Sequence, residues 1–145
     1  MRTDKGVVLD GNSKGSMPIE LRMLGWSVCL GILHVAIAAS LATQQRGLKW
    51  NAGNRDSTPN PLSGAAARAD RAMGNFLETF PFFIAAVLAV VVLTLTSART
   101  ALGSELYFWA RLLYMFVYII GIPYFRAVVW AVSIFGLLML VAAWL

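Results

Sequence analysis

Hydrophobic residues along the chain gather into four long blocks parted by short polar stretches. The first block covers about residues 24–41, fenced by Glu20 and Arg22 before it and by Gln44, Gln45 and Arg46 after it. A helix needs about 20 apolar residues to cross the hydrocarbon of a bilayer, and this block approaches that length. Its Ala36, Ala38, Ala39 and Ser40 are small enough for close helix packing. A polar loop over residues 47–63 follows, where Pro59 and Pro61 forbid a continuous helix. The second block, residues 65–96, is longer than a membrane requires: residues 65–78 are amphipathic and charged, whereas residues 80–96 are almost purely apolar. Pro81 lies inside it, and the lost hydrogen bond predicts a kink that packing must compensate. A turn over residues 97–104 leads to a third block at 106–122, which Gly121 and Pro123 break sharply. The fourth block, residues 127–145, is apolar to the last residue. The pattern predicts an all-α integral membrane protein, an antiparallel four-transmembrane-helix bundle with short loops.

Composition strengthens this picture. Hydrophobic residues make up 59% of the 145-residue chain and charged residues 13%, against roughly 25% charged in a soluble domain, so a water-soluble fold would lack polar surface. Residues 1–16 are polar and Gly-rich, lack the order of a signal peptide, and precede a second plausible start at Met17. They are read as a leader foreign to the native chain or a disordered tail, leaving residues 17–145 as one membrane domain. The net charge of +5 belongs to the flanks of the spans rather than to a nucleic-acid surface, because no basic stripe with interleaved aromatics stands outside the apolar blocks. With the leader set aside, the first and third loops and their flanks hold Arg46, Lys49, Arg55, Arg68, Arg71 and Arg126, against Arg22 and Arg99 on the other side. That bias places the first and third loops in the cytoplasm. The lone Cys29 reads as a small buried hydrophobe, and the lone His34 has no second ligand nearby, so no metal site is expected.

The candidate chemistry lies in the ionisable residues inside the apolar blocks, which are costly there and by default mark function or helix pairing. Arg68, Arg71, Asn75 and Glu78 follow one another at spacings of a helical turn and share one face. Arg111, Tyr114 and Tyr118 repeat the spacing on the third helix, and Arg126 precedes Trp130 by a turn on the fourth. In an up-down bundle the start of helix two, the end of helix three and the start of helix four share one side of the membrane. Arg71, Asn75, Tyr118 and Arg126 can therefore converge there, with Arg46 at the same level. Such a cluster suits a small polyanion that carries one ammonium group. The plainer reading pairs Glu78 with Arg111 or Arg71 to neutralise a buried charge, yet it leaves a surplus of arginine over acid.

The segment Arg71-Ala72-Met73-Gly74-Asn75-Phe76-Leu77-Glu78, followed by Pro81, resembles the Arg-Ala-x-x-Asn-x-x-Glu signature of the MAPEG family, the membrane-associated proteins in eicosanoid and glutathione metabolism. Phe108-Trp109-Ala110-Arg111, Tyr114, Tyr118, Pro123 and Arg126 follow in similar order, and the short loops are similar to those of bacterial members. The resemblance implies a homotrimer of four-helix protomers in a bacterial inner membrane, with glutathione as co-substrate bound between neighbouring subunits. It implies that Arg46, Arg71, Asn75, Glu78, Tyr114, Tyr118 and Arg126 contact the tripeptide. Glu78 would meet its ammonium group, and Arg126 would act catalytically by stabilising the thiolate. The implied activity is that of a transferase or peroxidase acting on lipophilic electrophiles or lipid hydroperoxides from the bilayer, a detoxification chemistry without metal. Ala127 stands where the family's prostaglandin synthase carries serine, which argues against that isomerisation. Trp130 and Gly74 replace a tyrosine and a basic residue of some relatives. Two other readings compete. One is a lipid-binding scaffold of the same family. The other is a small four-helix multidrug transporter, which would place a carboxylate in the first span, where residues 24–41 have none.

Overall fold

The computed structural model describes residues 17–56 and 58–145, so the reading of residues 1–16 lies outside the described residues. Among the described residues there are four long helices and one short one: α1 (Ile19–Arg46), α2 (Leu48–Ala52), α3 (Gly64–Val92), α4 (Ala98–Ile120) and α5 (Phe125–Val141). Contacts between helix ends fix the direction of each. Gln45 and Arg46, at the end of α1, bond the Ser63 and Asn60 carbonyls just before α3. Arg68, early in α3, reaches the Ile119 carbonyl at the end of α4. Glu20 at the start of α1 accepts from Thr100 at the start of α4, 2.6 Å away. Successive long helices therefore run up, down, up, down, with α5 packed on α4 and α3.

The boundaries follow from capping chemistry that hydropathy does not register. Residues 97–104, expected as a turn, are instead the cap and first turns of α4. The Ser97 side chain accepts from the Thr100 backbone N–H, and the Thr100 hydroxyl accepts from the Ser97 N–H, a reciprocal capping box. The second helix stops at Val92 rather than near residue 96. There the Thr94 N–H bonds the Val91 carbonyl and the Leu95 N–H bonds the Val90 carbonyl, a Schellman arrangement. Thr94 holds the left-handed position of that motif, φ 55°, where glycine usually sits. Gly121, φ 92°, plays the same part at the end of α4, with Ile122 N–H bonded to the Val117 carbonyl. Pro123 then prevents continuation. The expected uninterrupted loop after the first span contains the short α2, and α3 remains helical through Pro81.

The packing is inverted relative to a water-soluble bundle. Buried polar side chains are Glu20, Ser27, His34, Thr100, Ser104, Arg111 and Ser133, while Trp26, Ile32, Phe82, Trp109, Phe116 and Phe135 are exposed. Arg111 is 0% exposed and Ile120 69%. An outer surface of this kind is stable only against an apolar surrounding, as in a bilayer, where polar groups must be satisfied internally. α1 and α3 are long and apolar enough to cross a membrane, and α5 is a shorter apolar helix. Cys29, expected to be buried, lies on the exposed face of α1, because the inward face of that helix is taken by Ser27, Leu30, Gly31, His34 and Ala38.

The apolar core centres on Phe83, which stacks on Tyr107 at 3.9 Å, with Val87, Val90, Leu137 and Leu140 around them. α4 and α5 touch backbone to backbone at Gly103 and Gly136. A Cβ on Gly136 would stand 2.5 Å from the Gly103 carbonyl oxygen. Small residues at such crossings are what permit close packing in lipid.

Gly136→Ala is expected to force the two helices apart and cost about 1–3 kcal/mol, read as a lower unfolding temperature in detergent. Thr94→Gly is expected to act in the opposite direction. It relieves about 1–2 kcal/mol of left-handed strain against about 0.5–1 kcal/mol of added chain entropy, so the unfolding temperature should rise slightly.

Candidate functional site

At the end of the bundle where α4 turns into α5, a cavity of about 170 Å³ is lined by Arg68, Arg71, Tyr118, Gly121, Ile122, Pro123 and Arg126. α3 supplies Arg68 and Arg71 from one face, α4 supplies Tyr118 from its last turn, and the α4–α5 turn supplies the floor. That turn is strained. Tyr124 has φ 62° and ψ −52°, and the Phe125 N–H bonds the Pro123 carbonyl at 2.7 Å, which is the rare γ-turn of positive φ. It sets Arg126 in the first turn of α5, where the guanidinium lies over the Tyr118 ring, 4.9 Å from its centroid.

Behind the cavity a line of polar side chains runs into the bundle. Tyr118 packs on Tyr114 at 5.3 Å, and the Arg111 guanidinium lies over the Tyr114 ring at 5.5 Å and the Tyr107 ring at 5.6 Å. Arg111 donates to Asn75 Oδ1 at 2.8 Å and to Thr79 Oγ1 at 2.6 Å. Neither acceptor is charged. The pairing of Glu78 with Arg111 or Arg71, which the sequence allowed, does not form: Glu78 is exposed on α3 and makes no ion pair among the described residues. Asn75 and Thr79 are one turn apart and face α4, while Glu78 sits to the side of that stripe. Thr79 carries no family-level or charge signal, so only the register of the two helices reveals it.

The residues expected at the site are thus partly brought together. Arg71, Tyr118 and Arg126 share the cavity, and Tyr114 stands directly behind Tyr118. Asn75 has committed its carbonyl oxygen to Arg111, leaving its amide N–H groups for a ligand. Glu78 shares the outward face of α3 with Arg71 but does not line the cavity. Arg46 stands apart within the protomer. Its Nε donates to the Asn60 carbonyl at 3.1 Å and its guanidinium lies 4.9 Å from the Trp50 ring. It lines a separate cavity of about 640 Å³ with Lys49, Trp50, Arg55 and Asp56. Arg68 was legible as a member of the charged α3 face but not as part of the cavity wall.

Among the described residues, three guanidinium groups and no carboxylate line one small space, which makes a strongly electropositive site. Such a cluster repels itself unless an anion lies among the charges. One phenol, one glycine and two apolar residues complete the wall, so the space can hold a small polyanion at the edge of an apolar surface. Among the described residues no group of His, Cys, Asp and Glu could hold a metal ion.

A sequence model of the MAPEG family matches residues 23–145, nearly the whole chain. No curated protein and no solved structure matches it.

Asn75→Ala is expected to leave one Arg111 donor unsatisfied in the bundle and to cost about 1.5–3 kcal/mol, seen as a lower unfolding temperature without any ligand. Glu78→Gln, on the exposed face, should shift that temperature by no more than about 0.5 kcal/mol. A comparable loss from both would show that Glu78 has a structural partner.

Proposed function

Because this chain belongs to the MAPEG family of membrane-associated proteins, we propose that it is a glutathione-dependent membrane transferase or peroxidase. In this reading it activates the glutathione thiol against lipophilic electrophiles or lipid hydroperoxides. The observation that carries this reading is the acid-free cavity in which Arg126 lies over Tyr118 beside Arg71.

The donor set fits the tripeptide. Arg71 suits a carboxylate, which a guanidinium binds through paired charge-assisted hydrogen bonds. Glu78, seven residues further on the same outward face, suits the ammonium group. Seven residues of helix span about 10.5 Å at 1.5 Å per residue, and three residues of extended peptide span about 10–11 Å. An ionic pair of anchors at that separation matches the two ends of a tripeptide laid along α3. Glutathione as co-substrate supplies the thiol nucleophile. A free thiol, with a pKa of about 8.5, is mostly protonated at neutral pH. Arg126 makes no hydrogen bond among the described residues, so its donors are available to hold sulfur as the anion. Tyr118, whose ring lies 4.9 Å from the guanidinium carbon, lines the same cavity.

The apolar outer surface brings the second substrate from the bilayer. Attack of sulfur on carbon forms the C–S bond while the leaving group departs with the bonding pair. Attack on the terminal hydroperoxide oxygen forms an S–O bond as the O–O bond breaks, leaving glutathione sulfenic acid and an alkoxide that takes up a proton to give the alcohol; the thiol of a second glutathione then attacks the sulfenic sulfur, forming the disulfide and releasing water. In both cases Arg126 stabilises charge on the nucleophile before the bond is made.

The same reading extends to assembly and placement. Arg71 and Glu78 are charged and exposed on a helix whose exposed neighbours include Leu77, Phe82 and Leu88. In an apolar surrounding such charges need a polar cover, which a neighbouring protomer of a homotrimer and a zwitterionic ligand between them would supply. Residues 17–145 then form one four-span domain of a bacterial inner membrane, with the first and third loops cytoplasmic.

Titration of glutathione into detergent-purified protein, followed by heat and by ultraviolet thiolate absorbance, tests the proposal. We expect saturable binding with a thiolate signal that Arg126→Ala abolishes. Turnover in that variant should fall by about 10²–10³-fold, the scale for losing one preorganised donor to a developing anion. Failure of the folded wild-type protein to bind glutathione would sink the enzyme reading and favour a lipid-binding scaffold.

A further inference from the structure

Arg68 is the cavity residue that the glutathione assignment leaves unused, and its placement differs from that of its neighbours. Its Nε donates to the Ile119 carbonyl at 2.8 Å, in the last turn of α4. Its side chain lies flat against Gly121, where a Cβ would stand 3.2 Å from Nε and 3.3 Å from Cζ. These contacts fasten α3 to the α4–α5 turn that carries Arg126. They use one of the five guanidinium N–H groups, and no other hydrogen bond of Arg68 is found among the described residues. The remaining four belong to the two terminal nitrogens of a residue that lines the cavity.

A cation bonded to carbonyls at a helix C-terminus is a common stabilising device and needs no ligand. That account explains the Nε contact. It does not explain why the same side chain also lines a space shared with Arg71 and Arg126, with no acid among the lining residues. A purely structural cation would gain by facing away from two like charges.

We propose that Arg68 binds one of the two carboxylates of the thiol substrate, held in place for this by its bond to the end of α4. The proposal rests on the glutathione reading and adds a binding residue to it. Arg68 is pre-oriented by the Ile119 bond and the Gly121 contact, so little side-chain freedom is lost when the carboxylate arrives. Because the same side chain braces the turn before Arg126, carboxylate binding and thiolate stabilisation are mechanically joined. The ligand would then be required as a full tripeptide rather than as a bare thiol.

The experiment is a double-mutant cycle between side chain and ligand. Dissociation constants are measured for glutathione and for two analogues, each with one of the carboxylates converted to an amide. Wild-type protein, Arg68→Gln and Arg68→Lys are compared, after their folding has been checked by thermal unfolding. For wild type, each amidation should weaken binding about tenfold or more, the loss expected for one charge-assisted contact. In Arg68→Gln, glutathione should bind about tenfold more weakly, and amidation of one of the two carboxylates should then cost nothing further. Arg68→Lys keeps the charge without the planar fork, so its penalty for that carboxylate should be intermediate. If Arg68→Gln does not fold, the lysine variant carries the same cycle. Retention of both amidation penalties in the folded variants would overturn the assignment and leave Arg68 as a helix-end brace. Absence of glutathione binding to wild type would instead remove the glutathione reading together with this one.

Discussion

The structure depends on holding one guanidinium by its terminal nitrogens in the middle of an apolar bundle. Arg111 is fully buried on α4, and its terminal nitrogens donate to Asn75 and Thr79 of α3. Burying a charge is tolerable only with partners of good geometry. Here the partners are a neutral amide and a neutral hydroxyl, reinforced by the faces of Tyr107 and Tyr114. That requirement fixes the register of α3 on α4 to a single turn, since Asn75 and Thr79 must meet Arg111 together. Through Tyr114 and Tyr118 the same register carries to the mouth of the bundle, where Arg126 lies. The cavity is therefore positioned by a polar core rather than by its own loop.

The inverted packing shows why apolar surroundings are needed elsewhere in the molecule. α1 turns Ser27 and His34 inward, with His34 stacked on Phe76 at 4.8 Å, and presents Trp26, Ile32 and Val35 outward. At the opposite end from the cavity, Glu20 and Thr100 join α1 to the capping box of α4. Close approach at Gly103 and Gly136 supplies the packing where no polar pair is available. Polar ties at the two ends and the centre, with small-residue contact between, hold a bundle that has no hydrophobic drive between its helices.

Four blocks of apolar residues were enough to find the four long helices, because a membrane-length run of Leu, Val, Ile and Phe seldom folds as anything but a helix. The ends were harder to read. Thr94 takes a position where glycine is the usual signal, and Ser97 pairs with Thr100 rather than with the Glu or Gln of the common capping box. Glu20 looked like a boundary charge and is instead buried against Thr100. At the site, spacing put Arg71, Asn75, Tyr118 and Arg126 at one end, and the cavity there is lined by Arg71, Tyr118 and Arg126 but not by Asn75. Spacing does not reveal rotation about a helix axis. That rotation decides that Arg111 meets Asn75 and Thr79 while Glu78 faces outward, and that Arg68 joins the cavity wall. Arg46 depends on the course of the first loop, which holds it beside Trp50 and Asn60, and a polar loop carries no periodicity from which to infer its path.

Three arginines of the same chemical type end up with different duties because the protein takes up different numbers of their donors. Arg111 gives both terminal nitrogens to neighbouring side chains, deep inside the bundle. Arg68 gives only Nε, to a helix-end carbonyl, and keeps its fork. Arg126 gives none among the described residues and is held only by the face of Tyr118. From the bundle centre to its mouth, the guanidinium groups thus pass from structural to free, and the freest stands on a strained turn that only tertiary packing sustains. A donor that is held in place without being hydrogen-bonded is what charge stabilisation requires, because no protein contact has to break when the anion forms. Arg126 meets that condition and Arg111 does not. The ordering follows from which donors are already taken, and it separates the group free to meet an anion at the mouth from the one that keeps the bundle in register.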